Sequence, residues 1–281
     1  MPCGMWRNKL GELAVETLSK CLESVSGWMG RNKLKLNPDK TEVLLVGDKR
    51  RLGDIDLKFN RVSLPLKDQV RSLGVVLDSR LSMEAQISAV SRAAWYQLHL
   101  IRRLQPYLPV HQLPLVVHAL VTSRLDYCNA LYVGIPLKTV RKLQLIQNAA
   151  ARLLTNSRRR DHITPVLFDL HWLPVVFRAQ FKVLVLTFKS LHGSSPVYLT
   201  ERLQRHQLCR PTRSATQGRL SIPPTKTARL AGTRERAFSV AAPTLWNSLP
   251  QDLRHASSLN VFRKALKTWL FQQAFGVSGE G

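Results

Sequence analysis

Near residue 82 the spacing of the apolar residues changes, and that change limits the fold more than any other feature of the chain. Downstream, apolar residues return at three- and four-residue steps, the period of an amphipathic helix. Helices are expected over about 82–106, 109–123, 136–156, 174–192 and 258–274. Their starts are marked by Ser82 with Glu84 behind it, and by Pro109, Pro136 and Pro174, since a first helical turn tolerates proline. Gly193 is a natural stop for the fourth. In 136–156 the stripe is Leu143, Ile146, Gln147, Ala150 and Leu153; in the last helix it is Leu259, Phe262, Leu266, Trp269 and Leu270.

Upstream the pattern is mixed. Leu10, Leu13, Ala14, Leu18, Leu22, Val25 and Trp28 predict one helix, with Gly30 placed to cap its C-terminus. Asn37-Pro38-Asp39 predicts a tight turn, with proline presetting φ at the second position. Short strands follow at 41–46, at 56–59 with 61–64 as a hairpin around Asn60, and at 70–77. One helix, a few strands and then helices only make an α+β chain: a small incomplete sheet with one helix at the N-terminus, then a mainly helical region.

At 281 residues with 44% hydrophobic content, a sizeable core is within reach. The charge is unusual. Lys and Arg number 42 against 18 Asp and Glu, a formal charge of +24. Residues 1–140 carry +8 of it and residues 141–281 carry +16. Such a field draws in polyanions, with RNA, DNA or an acidic surface as partners. Within it, residues 205–236 hold eight basic residues, one acid, and Pro211, Pro223 and Pro224, and read as an irregular, exposed basic connector that orders on nucleic acid.

Several other chemistries have no signature. Cys3, Cys21, Cys128 and Cys209 form no CxxC pair, so neither a zinc site nor a disulfide framework is signalled. His111 and His118 share a helix face without an acidic or cysteine partner at ligand spacing, so packing histidines are expected there. Trp172, Trp246 and Trp269 sit beside Leu and Pro and are expected in the core. The apolar runs at 113–121 and 183–188 are too short to span a bilayer, and the N-terminus lacks the apolar run of a signal peptide. No membrane partner is expected; the nucleus or the cytosol is the expected location.

Six blocks in order give a more specific reading. Residues 34–46 read Leu-Lys-Leu-Asn-Pro-Asp-Lys-Thr-Glu-Val-Leu-Leu-Val, and 70–78 read Val-Arg-Ser-Leu-Gly-Val-Val-Leu-Asp. Then come Ser-Arg-Leu-Asp-Tyr-Cys-Asn at 123–129, Leu-Gln-Leu-Ile-Gln-Asn-Ala-Ala-Ala-Arg at 143–152, and Leu-His-Trp-Leu-Pro-Val at 170–175. The last set is Phe238-Ser239, Ala242-Pro243, Leu245-Trp246-Asn247 and Leu249-Pro250, closing on Phe262-Arg263 and Leu266-Lys267. In this order, over residues 17–272, the chain resembles the late palm, thumb and downstream region of reverse transcriptases from LINE-type (non-LTR) retrotransposons, in the chicken-repeat-like or jockey-like clades. The resemblance implies a partial palm at 1–80, a thumb-like helical region at 81–160 and a basic helical C-terminal region at 161–281. It sets Lys40 where the family carries a lysine near the incoming nucleotide's phosphates, and Gly74 where backbone approaches closely at the primer end. The family's paired metal-binding aspartates lie some tens of residues upstream of the first block. Here that block begins about thirty residues into the chain, and no two acidic residues are adjacent. The intact family uses magnesium ions. This chain is expected to have no metal site, no cofactor and no polymerase activity on its own, because two-metal phosphoryl transfer needs carboxylates to hold the ions.

What remains is phosphate binding. The candidate contacts are Lys33, Lys35 and Lys40 around the first block, Arg102 and Arg103 near a helix end, Arg141, Lys142 and Arg152 off the apolar stripe of 136–156, and Arg158, Arg159 and Arg160 directly after it. The expected partner is RNA or an RNA–DNA hybrid, bound without sequence preference. The alternative is a helical scaffold for a protein partner, or a relic without selected function.

Overall fold

The computed structural model describes residues 5–47, 58–59, 62–205, 218–224 and 231–276. The fold is α+β. The chain divides into two compact units, Met1–Ala85 and Gln86–Gly281, with the strands in the first. Among the described residues no helix is long and apolar enough to cross a membrane.

The first unit opens with helix α1, Met5–Arg31. The cap expected at Gly30 lies inside this helix. The left-handed residue that ends it is Lys33, with φ at 59°. The Lys33 N–H donates to the Gly30 carbonyl at 3.1 Å and the Leu34 N–H to that of Met29 at 2.8 Å, which satisfies carbonyls the helix would otherwise leave open. Among its described residues Leu64 is buried against half-buried Val15, Leu22, Leu36 and Val43, and Val75 and Met83 are buried as well. Leu18, Val25 and Trp28 of the predicted apolar set stay exposed.

The strands are short. β1 (Val43–Leu44) pairs in parallel with β4 (Leu66–Lys67); β2 (Lys58–Phe59) pairs antiparallel with β3 (Val62–Ser63). The predicted hairpin at 56–64 is therefore present, although Asn60 at its turn lies outside the described residues. The predicted single strand at 70–77 is instead a hairpin, β5 (Gln69–Ser72) against β6 (Val75–Asp78). Its two-residue turn is Leu73-Gly74, with φ at 47° and 81°. Two positive φ values make a type I′ turn, whose twist matches that of paired strands. Gly74 thus takes the second position of this turn. The sheet is three two-stranded ladders rather than one continuous sheet among the described residues.

Asp78 ends β6 and prepares the next helix, α2 (Glu84–Leu104). Its carboxylate accepts the Ser82 and Met83 N–H groups, both at 3.0 Å, and Ser82 Oγ accepts that of Glu84 at 3.3 Å. Burial alone would raise the Asp78 pKa, but these backbone donors outweigh it and hold the carboxyl below its ordinary value.

The second unit is mainly helical in its described part, with one isolated antiparallel bridge between Arg205 and Leu220. α2 buries Gln86, Ile87, Ser91, Ala94, Leu98 and Ile101. α3 (Leu113–Val117) starts four residues beyond Pro109, with Pro114 in its first turn. It runs through a π-helical turn, His118–Thr122, into α4 (Ser123–Asp126). His111 precedes this helix and shares no helical face with His118; both are exposed rather than packed inside, and the His118 ring lies against Trp172 with centroids 5.4 Å apart. α5 (Leu137–Thr155) and α7 (Val175–Leu191) fall where the periodicity sets them. Gly193 stops α7 at φ 67°, and the Ser194 N–H donates back to the Lys189 carbonyl at 2.8 Å. α6 (Ile163–Asp169), α8 (Val197–Thr200), α9 (Ala231–Glu235), α10 (Phe238–Asn247) and α11 (Gln251–Arg254) are short additions, and α12 (Leu259–Phe275) is capped by Ser258.

α7, α10 and α12 meet in an aromatic core. Phe188 stacks on Phe262 at 4.4 Å between centroids, and Trp246 packs against Phe262 at 5.7 Å. Leu184, Leu220, Leu266 and Leu270 complete it. Trp172 and Trp246 are buried as expected, and Trp269 is half-buried on the same cluster. Part of the predicted exposed connector is pinned here. Leu220 is buried, Trp246 Nε1 donates to the Gly218 carbonyl at 2.9 Å, and the Asn247 amide exchanges two hydrogen bonds with the Leu220 backbone. Residues 206–217 and 225–230 of that connector lie outside the described residues.

Leucine at positive φ is costly, because its branched side chain crowds the backbone. Leu73 is also 89% exposed, so it contributes almost no burial in return. Leu73→Asn is expected to stabilise the hairpin by ~0.5–1 kcal/mol. A rise in the unfolding midpoint of the first unit checks this; an unchanged or lower midpoint contradicts the type I′ assignment.

Candidate nucleic-acid interface

The interface is built on helices whose inner faces are committed to packing. On α5 the buried residues Val140, Leu143, Ile146, Gln147, Ala150 and Leu153 define the inside. At 100° per residue, Lys138, Arg141 and Lys142 fall on the opposite side, and all three are exposed. Lys142 Nζ reaches Ser88 Oγ of α2 at 3.4 Å, a weak tether that leaves most of its charge to solvent. Lys138 was not among the sequence candidates, although it lies one turn from Arg141 and Lys142.

Arg152 shares the outward arc but has structural work. Its Nη2 donates to the Asp161 carbonyl at 3.1 Å, and its Nε is buried without a partner. It braces the loop after α5. In that loop Asp161 accepts the Arg158 N–H through Oδ2 at 2.6 Å. One of its two carboxylate oxygens is thereby taken by backbone. The side chains of Arg158, Arg159 and Arg160 are exposed and form no ion pair among the described residues. Arg102 and Arg103 are exposed in the last turn of α2, where their charge also complements the helix dipole.

Lys33, Lys35 and Lys40 belong to the first unit and are exposed there. The turn at Lys40 forms as predicted. Asn37 Oδ1 accepts the Asp39 N–H at 3.0 Å, Thr41 Oγ1 donates to the Asn37 carbonyl at 2.8 Å, and Pro38–Lys40 makes one 3₁₀ turn. The predicted cations are thus divided between the two units. Even within α5, Arg141 and Arg152 stand about 16 Å apart along the axis. The arrangement suits a phosphate backbone touched at intervals, not a single concave site. Among the described residues no three metal-ligating side chains converge.

A second missed set lies on α12. Phe262, Leu266 and Leu270 face inward, which turns Arg263, Lys264 and Lys267 outward; all three are exposed, and the helix holds no acidic residue. The signal was present in the sequence, since the apolar stripe alone fixes which side the cations take.

The polar residues of the resemblance blocks have different tasks. Pro174 sits at the N-cap of α7 and has no side chain that can accept a hydrogen bond. Gln144 of α5 supplies one from outside: its Oε1 accepts the Val175 N–H at 2.9 Å. Buried Gln147 donates to the Leu173 carbonyl at 2.9 Å, and Gln144 Nε2 donates to Gln147 Oε1 and Asn148 Oδ1. One turn into α7, Arg178 forms a two-pronged ion pair with Asp126 of α4, with Nε to Oδ1 at 2.8 Å. These residues hold helix ends together.

Comparison of the chain with family models, with curated proteins and with solved structures returned no match.

The division of labour is measurable. Gln144→Met removes the acceptor and strands the Val175 N–H, an expected loss of ~1–3 kcal/mol in urea unfolding. Substituting serine for exposed Arg159 is expected to change stability by less than about 0.5 kcal/mol. Equal effects from the two would contradict the assignment.

Proposed function

We propose that this chain is a nucleic-acid-binding portion of a LINE-type reverse transcriptase lineage, holding the late palm and thumb but not the catalytic carboxylates. It binds RNA or an RNA–DNA hybrid through phosphates, without sequence preference, and does not polymerise on its own. The observation that carries this reading is the exposed row of Lys138, Arg141, Lys142, Arg158, Arg159 and Arg160, on and after a helix whose other face is fully packed. No acidic side chain is ion-paired to them among the described residues, so their charge is available to a polyanion. The six sequence blocks support the lineage, and the absence of adjacent acidic residues supports the lack of catalysis.

A second reading, a scaffold for a protein partner, rests on α1, where Leu18, Val25 and Trp28 are 40%, 42% and 55% exposed.

A salt titration of binding separates the two. Five or more phosphate contacts to a single strand predict a slope of log K against log salt of about −3.5 or steeper. Replacing Arg158, Arg159 and Arg160 with serine is expected to make that slope shallower by about 2. Absence of binding at low salt favours the scaffold. Primer extension on an RNA template by the purified chain with magnesium or manganese overturns the non-catalytic reading.

A further inference from the structure

The outer face of α2 differs from the other cationic surfaces. It carries Arg92, Trp95, Tyr96, His99, Arg102 and Arg103, each three or four residues from its neighbours and so adjacent on the helix surface. All six are exposed. Trp95 is 44% and Tyr96 62% exposed, whereas Trp246 is 1% exposed. None of the six side chains makes a hydrogen bond, ion pair or ring contact with another described residue. Beyond Glu84, α2 has no acidic residue.

We infer that this face of α2 is a stacking platform for the unpaired bases of single-stranded nucleic acid, with Trp95 and Tyr96 taking the bases and Arg92, Arg102 and Arg103 the phosphates. The proposal rests on the reading that the chain binds nucleic acid, and it specifies the form bound. A duplex shields its base faces within its own stack, so open aromatic rings gain little from it. A single strand offers those faces, and every base has one, which allows stacking without sequence preference. The charge is complementary along the whole face. From Arg92 to Arg103 the helix rises about 17 Å, the length of about five stacked nucleotides at ~3.4 Å each. The two rings sit between arginines at both ends, so a strand held by its phosphates at either end passes over them.

The experiment uses the full chain and three labelled probes: an eight-nucleotide uridine oligomer, an abasic oligomer with the same number of phosphates, and polyglutamate of similar charge. Anisotropy is expected to show the uridine oligomer bound about tenfold or more tighter than the abasic one. Trp95→Ala and Tyr96→Ala are each expected to weaken it about fivefold or more, the lower end of base–aromatic stacking. Affinity for the abasic probe and the salt slope should not change, and Trp95→Phe should keep most of the uridine affinity. Tyr96 is 62% exposed, so unchanged thermal unfolding is expected to accompany the loss at Tyr96→Ala, and Trp95→Phe controls for the packed part of the Trp95 ring. Equal binding of uridine and abasic oligomers, unaffected by either alanine substitution, overturns the platform while leaving phosphate binding intact. Failure to bind any nucleic-acid probe at low salt overturns both. Polyglutamate binding as tight as the uridine oligomer, and equally sensitive to Trp95→Ala, assigns the face to an acidic protein and overturns the proposal.

Discussion

The amino end of α7 is the joint on which the helical unit depends. Proline at position 174 fixes the backbone for helix entry but has no side-chain acceptor for the first free N–H groups. Gln144 reaches across from α5 to accept the Val175 N–H, Gln147 fastens the carbonyl just ahead at Leu173, and Asp126 of α4 grips Arg178. A proline start that would otherwise be loose is thus held from two other helices. An unmade hydrogen bond at a buried helix end costs about 1–3 kcal/mol, a large share of a typical domain's stability.

From that joint the rest follows outward. α7 carries Leu184 and Phe188 into the aromatic core with Trp246 of α10 and Phe262 of α12. Because α5 is tied to α7 through its inner face, its outer face must carry Lys138, Arg141 and Lys142 into solvent. α12 repeats the logic with Arg263, Lys264 and Lys267. Packing fixes the orientation of the charges, and the charges define what the surface attracts. The residues that spell out the resemblance are largely those of the joint and the core: Asp126, Gln144, Gln147, Trp172, Trp246 and Asn247. The proposed lineage rests on this framework, and the proposed binding on the exposed cations around it.

Much of this was legible in the sequence, for a physical reason. α5, α7 and α12 have long apolar stripes with proline or serine at the start and glycine or asparagine at the stop, so periodicity and caps agree. The hairpin at 69–78 reads as one strand in the sequence because its turn uses Leu73 before Gly74, where asparagine or aspartate is the usual marker. Glycine's preference for the left-handed cap position points to Gly30 at the end of α1, yet Lys33 takes it. Local chemistry does not reveal Arg152 as a brace, since its partner is a loop carbonyl nine residues on. Leu220 lies in a basic, proline-bearing stretch and is buried only because Asn247 and Trp246 reach it from a distant helix.

Packed helix faces leave α2, α5 and the loop after it as the surface proposed to meet nucleic acid. Photocrosslinking a thiouridine-bearing RNA to the full chain, with mass-spectrometric mapping of the crosslinked peptides, tests it most directly. Crosslinks are expected on the outer residues of α2, at Lys138, Arg141 and Lys142, and at Arg158, Arg159 and Arg160. Crosslinks confined to residues 206–217, or to α1, would contradict it.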